Sequence, residues 1–151
     1  MRLVKGKWVA SYRDTWNLDY TLSPIILAAL ERFYSLRDKP HFGVPCKVIA
    51  DYGFKTENED NEHDLAFIVW EGIIENMIYA FNMKNEPDIN KYNFKLNMKT
   101  EPIEGSTNRS CKIKVTNEEE YARFKKDQEE YYKLRDKGLE LFGKYFTNLW
   151  W

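Results

Sequence analysis

Three observations predict a mainly α-helical chain of the α+β class. Apolar residues recur with the 3.6-residue period over three long stretches, they alternate strictly over two short ones, and proline and glycine punctuate the joins. The expected architecture is three principal helices, near 19–36, 62–84 and 117–149, forming one core, with an inserted β-hairpin near 92–116. At 151 residues the chain has the usual size of one domain, so a single domain over 1–151 is expected.

Residues 2–12 mix basic and apolar positions and read as an irregular arm or a short strand. Asp14, Thr15 and Asn17 supply turn and capping chemistry around Trp16. The first helix should begin between Asp19 and Ser23, with Pro24 in its first turn, where a missing N–H costs nothing. Ile26, Ala29, Leu30 and Phe33 form its stripe, and Ile25, Leu27 and Tyr34 widen it, which predicts a central helix. Pro40, Gly43 and Pro45 then break the chain. Cys46 to Ala50 reads as a short strand, and the polar run 55–62 as a loop.

The second helix should start near Asn61, with Glu62 and Asp64 suited to the positive end of its dipole. Leu65, Ile68, Val69, Ile73, Met77, Ala80 and Phe81 keep the helical period until Pro87 closes it. Tyr92, Phe94, Leu96 and Met98 alternate with polar residues, as do Cys111, Ile113 and Val115. That pattern predicts a hairpin with one buried face. Thr116 or Asn117 can cap the last helix, completed by Glu119 or Glu120. Its stripe runs through Tyr121, Phe124, Tyr131, Tyr132, Leu139, Phe142, Tyr145, Phe146 and Leu149. The interval 125–137 is mostly charged, so the amino half is expected to extend past the core. Gly138 and Gly143 each cost about 1 kcal/mol inside a helix, which implies a close helix crossing or a bend.

Composition bounds function. The formal charge of −1 gives no global attraction to nucleic acid or acidic membranes, but the charge is unevenly spread. Arg2, Lys5, Lys7 and Arg13 stand without an acid in 1–13, 51–64 is acidic, and 89–115 is basic. The longest apolar stretch, Ile25 to Leu30, is too short to span a bilayer, so a soluble, cytoplasmic protein with no membrane partner is expected. Five Trp, ten Tyr and nine Phe exceed what so small a domain can hide. Some of them should meet a partner, a ligand or a second copy in a homodimer.

Cys46 and Cys111 lack metal-ligand spacing and read as small hydrophobes; a disulfide would need adjacent strands. No phosphate-cradling glycine loop, nucleophile elbow, CxxC or HExxH occurs, which leans against an enzyme and implies neither cofactor nor metal. His63 and Asp64, with His41 and Asp88, resemble the ligand types of HD-type metal phosphohydrolases, which would make the chain a small metal-dependent phosphohydrolase. The plainer reading is that His63 and Asp64 suit a helix N-terminus. The acidic run 57–64 offers oxygens of the type that bind Ca²⁺ but lacks the turning glycine, so it reads as a solvated loop. Glu71 and Glu75, one helical turn apart, read as an exposed pair.

On the hairpin, Lys95, Lys99, Lys112 and Lys114 should project together, with Asn93 and Asn97 between them. Such a ribbon can contact phosphates or enter a nucleic-acid groove. Lysine on a hairpin also guards an open edge against aggregation. At the carboxyl end, Trp150 and Trp151 cannot share one helical face. With Trp16 they are the candidate partner-binding residues, since tryptophan is enriched at binding hot spots.

Three segments, DTWNLDYTLSPIILAALERF (14–33), IIENMIYAF (73–81) and KGLELFGKYFTNLWW (137–151), resemble parts of small uncharacterised proteins of tailed bacteriophages and prophages. The likeness covers about a third of the chain and implies phage origin; it brings no activity and no catalytic residue. The expectation is a non-catalytic phage accessory protein in the cytoplasm of an infected bacterium. It would bind a host or phage macromolecule, a protein rather than nucleic acid, in host takeover or anti-defence.

Overall fold

The computed structural model describes residues 1–54, 60–102 and 109–150. The chain opens with a hairpin, β1 (Arg2–Val4) and β2 (Lys7–Val9), where an irregular arm or short strand was expected. Lys5 and Gly6 take φ values of 48° and 77° at its turn, the left-handed pair that two-residue hairpin loops require. Helix α1 (Tyr12–Trp16) follows, started by a capping box in which Ser11 and Asp14 satisfy each other's backbone N–H groups.

Helix α2 (Leu18–Tyr34) begins just ahead of the predicted range. Pro24 therefore sits inside the helix rather than in its first turn, and one backbone hydrogen bond is forgone there. Cys46 to Ala50 does not form a strand. Residues 46–52 make helix α3 (Cys46–Tyr52), preceded by Pro45 and ended by Gly53 in the left-handed conformation at φ 72°. The boundary residues outweigh the β-branched Val48 and Ile49. Helix α4 (Asp60–Phe81) leads into two 3₁₀ turns, Met83–Asn85 and Ile89–Lys91. Strands β3 (Leu96–Pro102) and β4 (Arg109–Val115) form the second hairpin. Helix α5 (Glu118–Tyr145) and a 3₁₀ turn at Phe146–Asn148 complete a mainly helical α+β chain.

The chain divides into two compact units, 1–85 with 133–151, and 86–132. The first holds the helical core: Leu30 from α2, Phe42, Val48 from α3, Trp70, Ile73, Ile74, Met77 and Phe81 from α4, and Tyr145 from α5. Aromatic edges organise it, with Trp70 meeting Tyr145 at 6.0 Å and Phe81 meeting Phe142 at 4.8 Å between ring centroids. Gly138 marks a close helix crossing. A Cβ there would lie 2.2 Å from the carbonyl oxygen of Asn76 and 2.6 Å from Cβ of Ala80. Gly143 has no neighbour within 4 Å, so close approach explains one of the two helical glycines and not the other.

The second unit has its own small aromatic centre. Tyr92 meets Phe124 edge to face at 5.1 Å, Phe94 meets Tyr121 edge to face at 5.2 Å, and Phe94 lies tilted against Phe124 at 5.5 Å. The amino half of α5 is thus a packing surface here. The Tyr92 hydroxyl donates to Asp127 at 2.6 Å, which pushes the phenol pKa up. The hairpin buries less than its alternation predicts. Leu96 and Val115 are half-buried, but Cys111 is exposed, as are Met98 and Ile113, at 66% and 56%. Beyond its first residue pair, the described part of the apolar face is largely exposed. Among the described residues, no helix is long and apolar enough to cross a membrane.

Candidate functional site

The lysine ribbon forms as alternation requires. Antiparallel register sets Lys99 opposite Lys112 and Asn97 opposite Lys114. The bonds between Lys95 and Thr116, at 2.8 and 3.1 Å, extend that register by one pair. Lys95, Asn97, Lys99, Lys112 and Lys114 therefore share one face of the hairpin. Asn93 lies ahead of the strand, its backbone N–H donating to Glu120 at 3.2 Å, and so stands outside the ribbon proper. Lysines directly opposite one another repel.

Of the predicted partner-binding tryptophans, Trp16 and Trp150 are largely exposed, at 71% and 70%. Trp151 lies outside the described residues, as do most of the acidic run 57–64 and the His63 side chain. Asp88 is engaged locally: its carboxylate accepts from the backbone N–H of Asn90 at 3.0 Å, which lowers its pKa. Among the described residues no group of three or more His, Cys, Asp or Glu side chains is placed to hold a metal ion. Cys46 and Cys111 are free thiols. Glu71 and Glu75 are not merely solvated. Glu75 accepts the Tyr34 hydroxyl at 2.5 Å, raising that phenol to about 12, and Arg37 lies 3.5 Å from Glu71.

A polar cluster that sequence patterning did not foretell ties α3 to the end of α5. Asp51 accepts from the hydroxyl of fully buried Tyr145 at 2.9 Å and from Lys144 at 3.0 Å, and Lys47 is 3.3 Å away. The Lys144 bond, then Tyr145, holds the Asp51 carboxyl down at about 2. The Lys144 ammonium is pushed up by the same pairing, and burial pushes the Tyr145 phenol up. All three move away from neutrality, so the cluster clamps two helices and does not shuttle protons near pH 7.

Among the described residues, an apolar groove of about 550 Å³ lies between α2 and the carboxyl end of α5. Ile25, Ala29, Phe33 and Leu36 line one wall at helical spacing, and Phe142, Phe146 and Leu149 the other. Arg32 is the charged member of the lining. Ile25 and Phe146 are more than half exposed. Phe146 packs against Phe142 at 5.2 Å between ring centroids. The sequence pattern predicts a central α2, whereas Leu30 is the buried residue of that helix and Leu18, Tyr20 and Ile25 are exposed. An α2 apolar over most of its circumference presents more surface than one core can cover, and the uncovered flank is the groove. Comparison with protein-family models, with curated proteins and with solved structures returns no match to this chain.

Proposed function

We propose that this chain is a non-catalytic phage accessory protein that works by binding a protein partner in the cytoplasm of an infected bacterium, in host takeover or anti-defence. The observation that carries the reading is the α2–α5 groove. Its walls come from α2 and from the end of α5 with the turn after it, and an apolar lining of this kind suits the apolar face of an amphipathic helix. Arg32 is the charged lining residue, so the fitting partner is an amphipathic helix with a carboxylate on its flank. Resemblance of 14–33, 73–81 and 137–151 to phage proteins supports the setting, and two of those segments supply groove walls.

The test is affinity capture from host lysate with wild type and with the Ile25→Glu/Phe146→Glu double variant. Both residues are exposed, so the fold should survive. A partner held by wild type and lost by the variant supports the reading, and equal capture by both sinks it.

The lysine face supports a second reading, nucleic-acid binding, because the register brings four lysines to one surface. Each phosphate contact on duplex DNA contributes a slope of about −0.9 in log K against log salt, so four contacts would give a steep dependence. Binding of a random duplex that is absent at low salt, or that survives Lys→Glu replacement at 95, 99, 112 and 114, would remove it.

A further inference from the structure

The amino-terminal hairpin and α1 carry charge and rings that neither the groove nor the lysine ribbon uses. Arg2, Lys5, Lys7 and Arg13 are all exposed. The acid nearest to them in sequence is already neutralised: Asp14 is 2.9 Å from the amino group of Met1 and accepts the Ser11 N–H. The segment therefore presents uncompensated positive charge. Interleaved with these cations in the sequence stand Trp8, Tyr12 and Trp16, exposed at 69%, 77% and 71%. Tyr12 and Trp16, one helical turn apart, meet edge to face at 5.7 Å. Beside them an open cleft of about 370 Å³ is lined by Arg13, Asn17, Tyr20 and Thr21 as well as the two rings.

We infer that this surface binds single-stranded nucleic acid, stacking bases on Tyr12 and Trp16 while Arg13 and the hairpin cations meet the phosphates. Exposed rings interleaved with cations are what a sequence-tolerant single-strand site needs, because every base offers a π-face. Paired bases are not available for such stacking, so a duplex would be the poorer ligand. An anionic membrane is a worse fit by geometry. Register leaves Leu3 and Trp8 alone on the apolar face of the hairpin, with Arg2, Val4, Lys7 and Val9 on the other, and two side chains are too small a surface to anchor it in a bilayer.

The experiment is fluorescence anisotropy of a labelled thymidine oligomer of about 16 nucleotides, titrated with the full chain across a salt series, beside a duplex of equal length. Expected are tighter binding of the single strand and a salt slope near −2.8, at about −0.7 for each of four contacts. Tyr12→Ala and Trp16→Ala should each weaken binding about tenfold or more, whereas Trp16→Phe, which keeps a ring, retains it. Both alanine variants alter exposed side chains and should melt as wild type does. The Lys→Glu variant at 95, 99, 112 and 114 should bind the oligomer unchanged. The inference is overturned by no binding at low salt, by binding indifferent to the two rings, by loss in the lysine-ribbon variant alone, or by anionic vesicles competing the oligomer away.

Discussion

Gly138→Ala tests the packing of the helical core through a change that local propensity alone would favour. Replacing a mid-helix glycine with alanine gains about 1 kcal/mol of helix stability. At Gly138 the new methyl would sit 2.2 Å from the Asn76 carbonyl oxygen, short by 0.8 Å of the 3.0 Å below which something must shift. The obstructing atom is backbone, so no rotamer change relieves it, and Cβ of Ala80 at 2.6 Å closes the alternative direction. Separating α4 from α5 would loosen the contact of Tyr145 with Trp70. Overpacking of this kind costs about 3 kcal/mol at the upper end of its usual range, leaving a net loss of about 2 kcal/mol. For a protein of this size that lowers Tm by about 4–8 °C. Gly143→Ala is the matched control, since nothing lies within 4 Å and the propensity gain should appear as a small stabilisation. Thermal melts by far-UV circular dichroism read both. If Gly138→Ala melted at or above wild type, the close crossing of α4 and α5 would be wrong.

Ile73→Ala should cost about 2–5 kcal/mol in a denaturant titration because Ile73 is buried in the α4 core, whereas Ile25→Ala on the groove should fall within about 0.5 kcal/mol of wild type. Acid should unfold the protein partly through Asp51. Its folded pKa of about 2 lies below the ordinary 3.8, so the unfolded chain binds the proton more tightly, and the stabilisation, full above pH 4, is lost as pH falls towards 2. Asp51→Asn should flatten the stability–pH curve across that window, and an unchanged curve would deny the clamp. Elemental analysis of protein purified without added metal should find no stoichiometric Zn, Mn or Fe. One equivalent lost on His63→Ala would restore the hydrolase reading.

The long elements were legible because their signals are redundant. Helix α4 keeps the 3.6-residue period over six turns, and α5 has acids at its start and a stripe to its end, so no single residue decides either. The short elements were not. Cys46 to Ala50 carries a β-branched pair that favours a strand locally, and only the position of Gly53 tells otherwise. The amino-terminal hairpin turns on Lys5-Gly6, where lysine adopts a positive φ that its side chain gives no reason to expect. Alternation correctly grouped the hairpin lysines, because register follows from the pleat. It could not say whether anything covers the opposite face, since period two separates the faces without naming the buried one. The groove was not legible: an α2 apolar over most of its circumference reads equally as a central helix, and the second wall required α5 to end beside it. Asp51 and Tyr145 are 94 residues apart, and no spacing rule joins them.

Whether the α2–α5 groove holds a protein helix can be read by photocross-linking. A photoreactive residue replaces Ile25 in one variant and exposed Lys39, outside the groove, in another; both are irradiated in host lysate. One discrete adduct is expected from position 25, absent from position 39 and abolished when Phe146→Glu is added. No adduct from position 25, or the same adducts from both positions, would contradict a helix held in the groove.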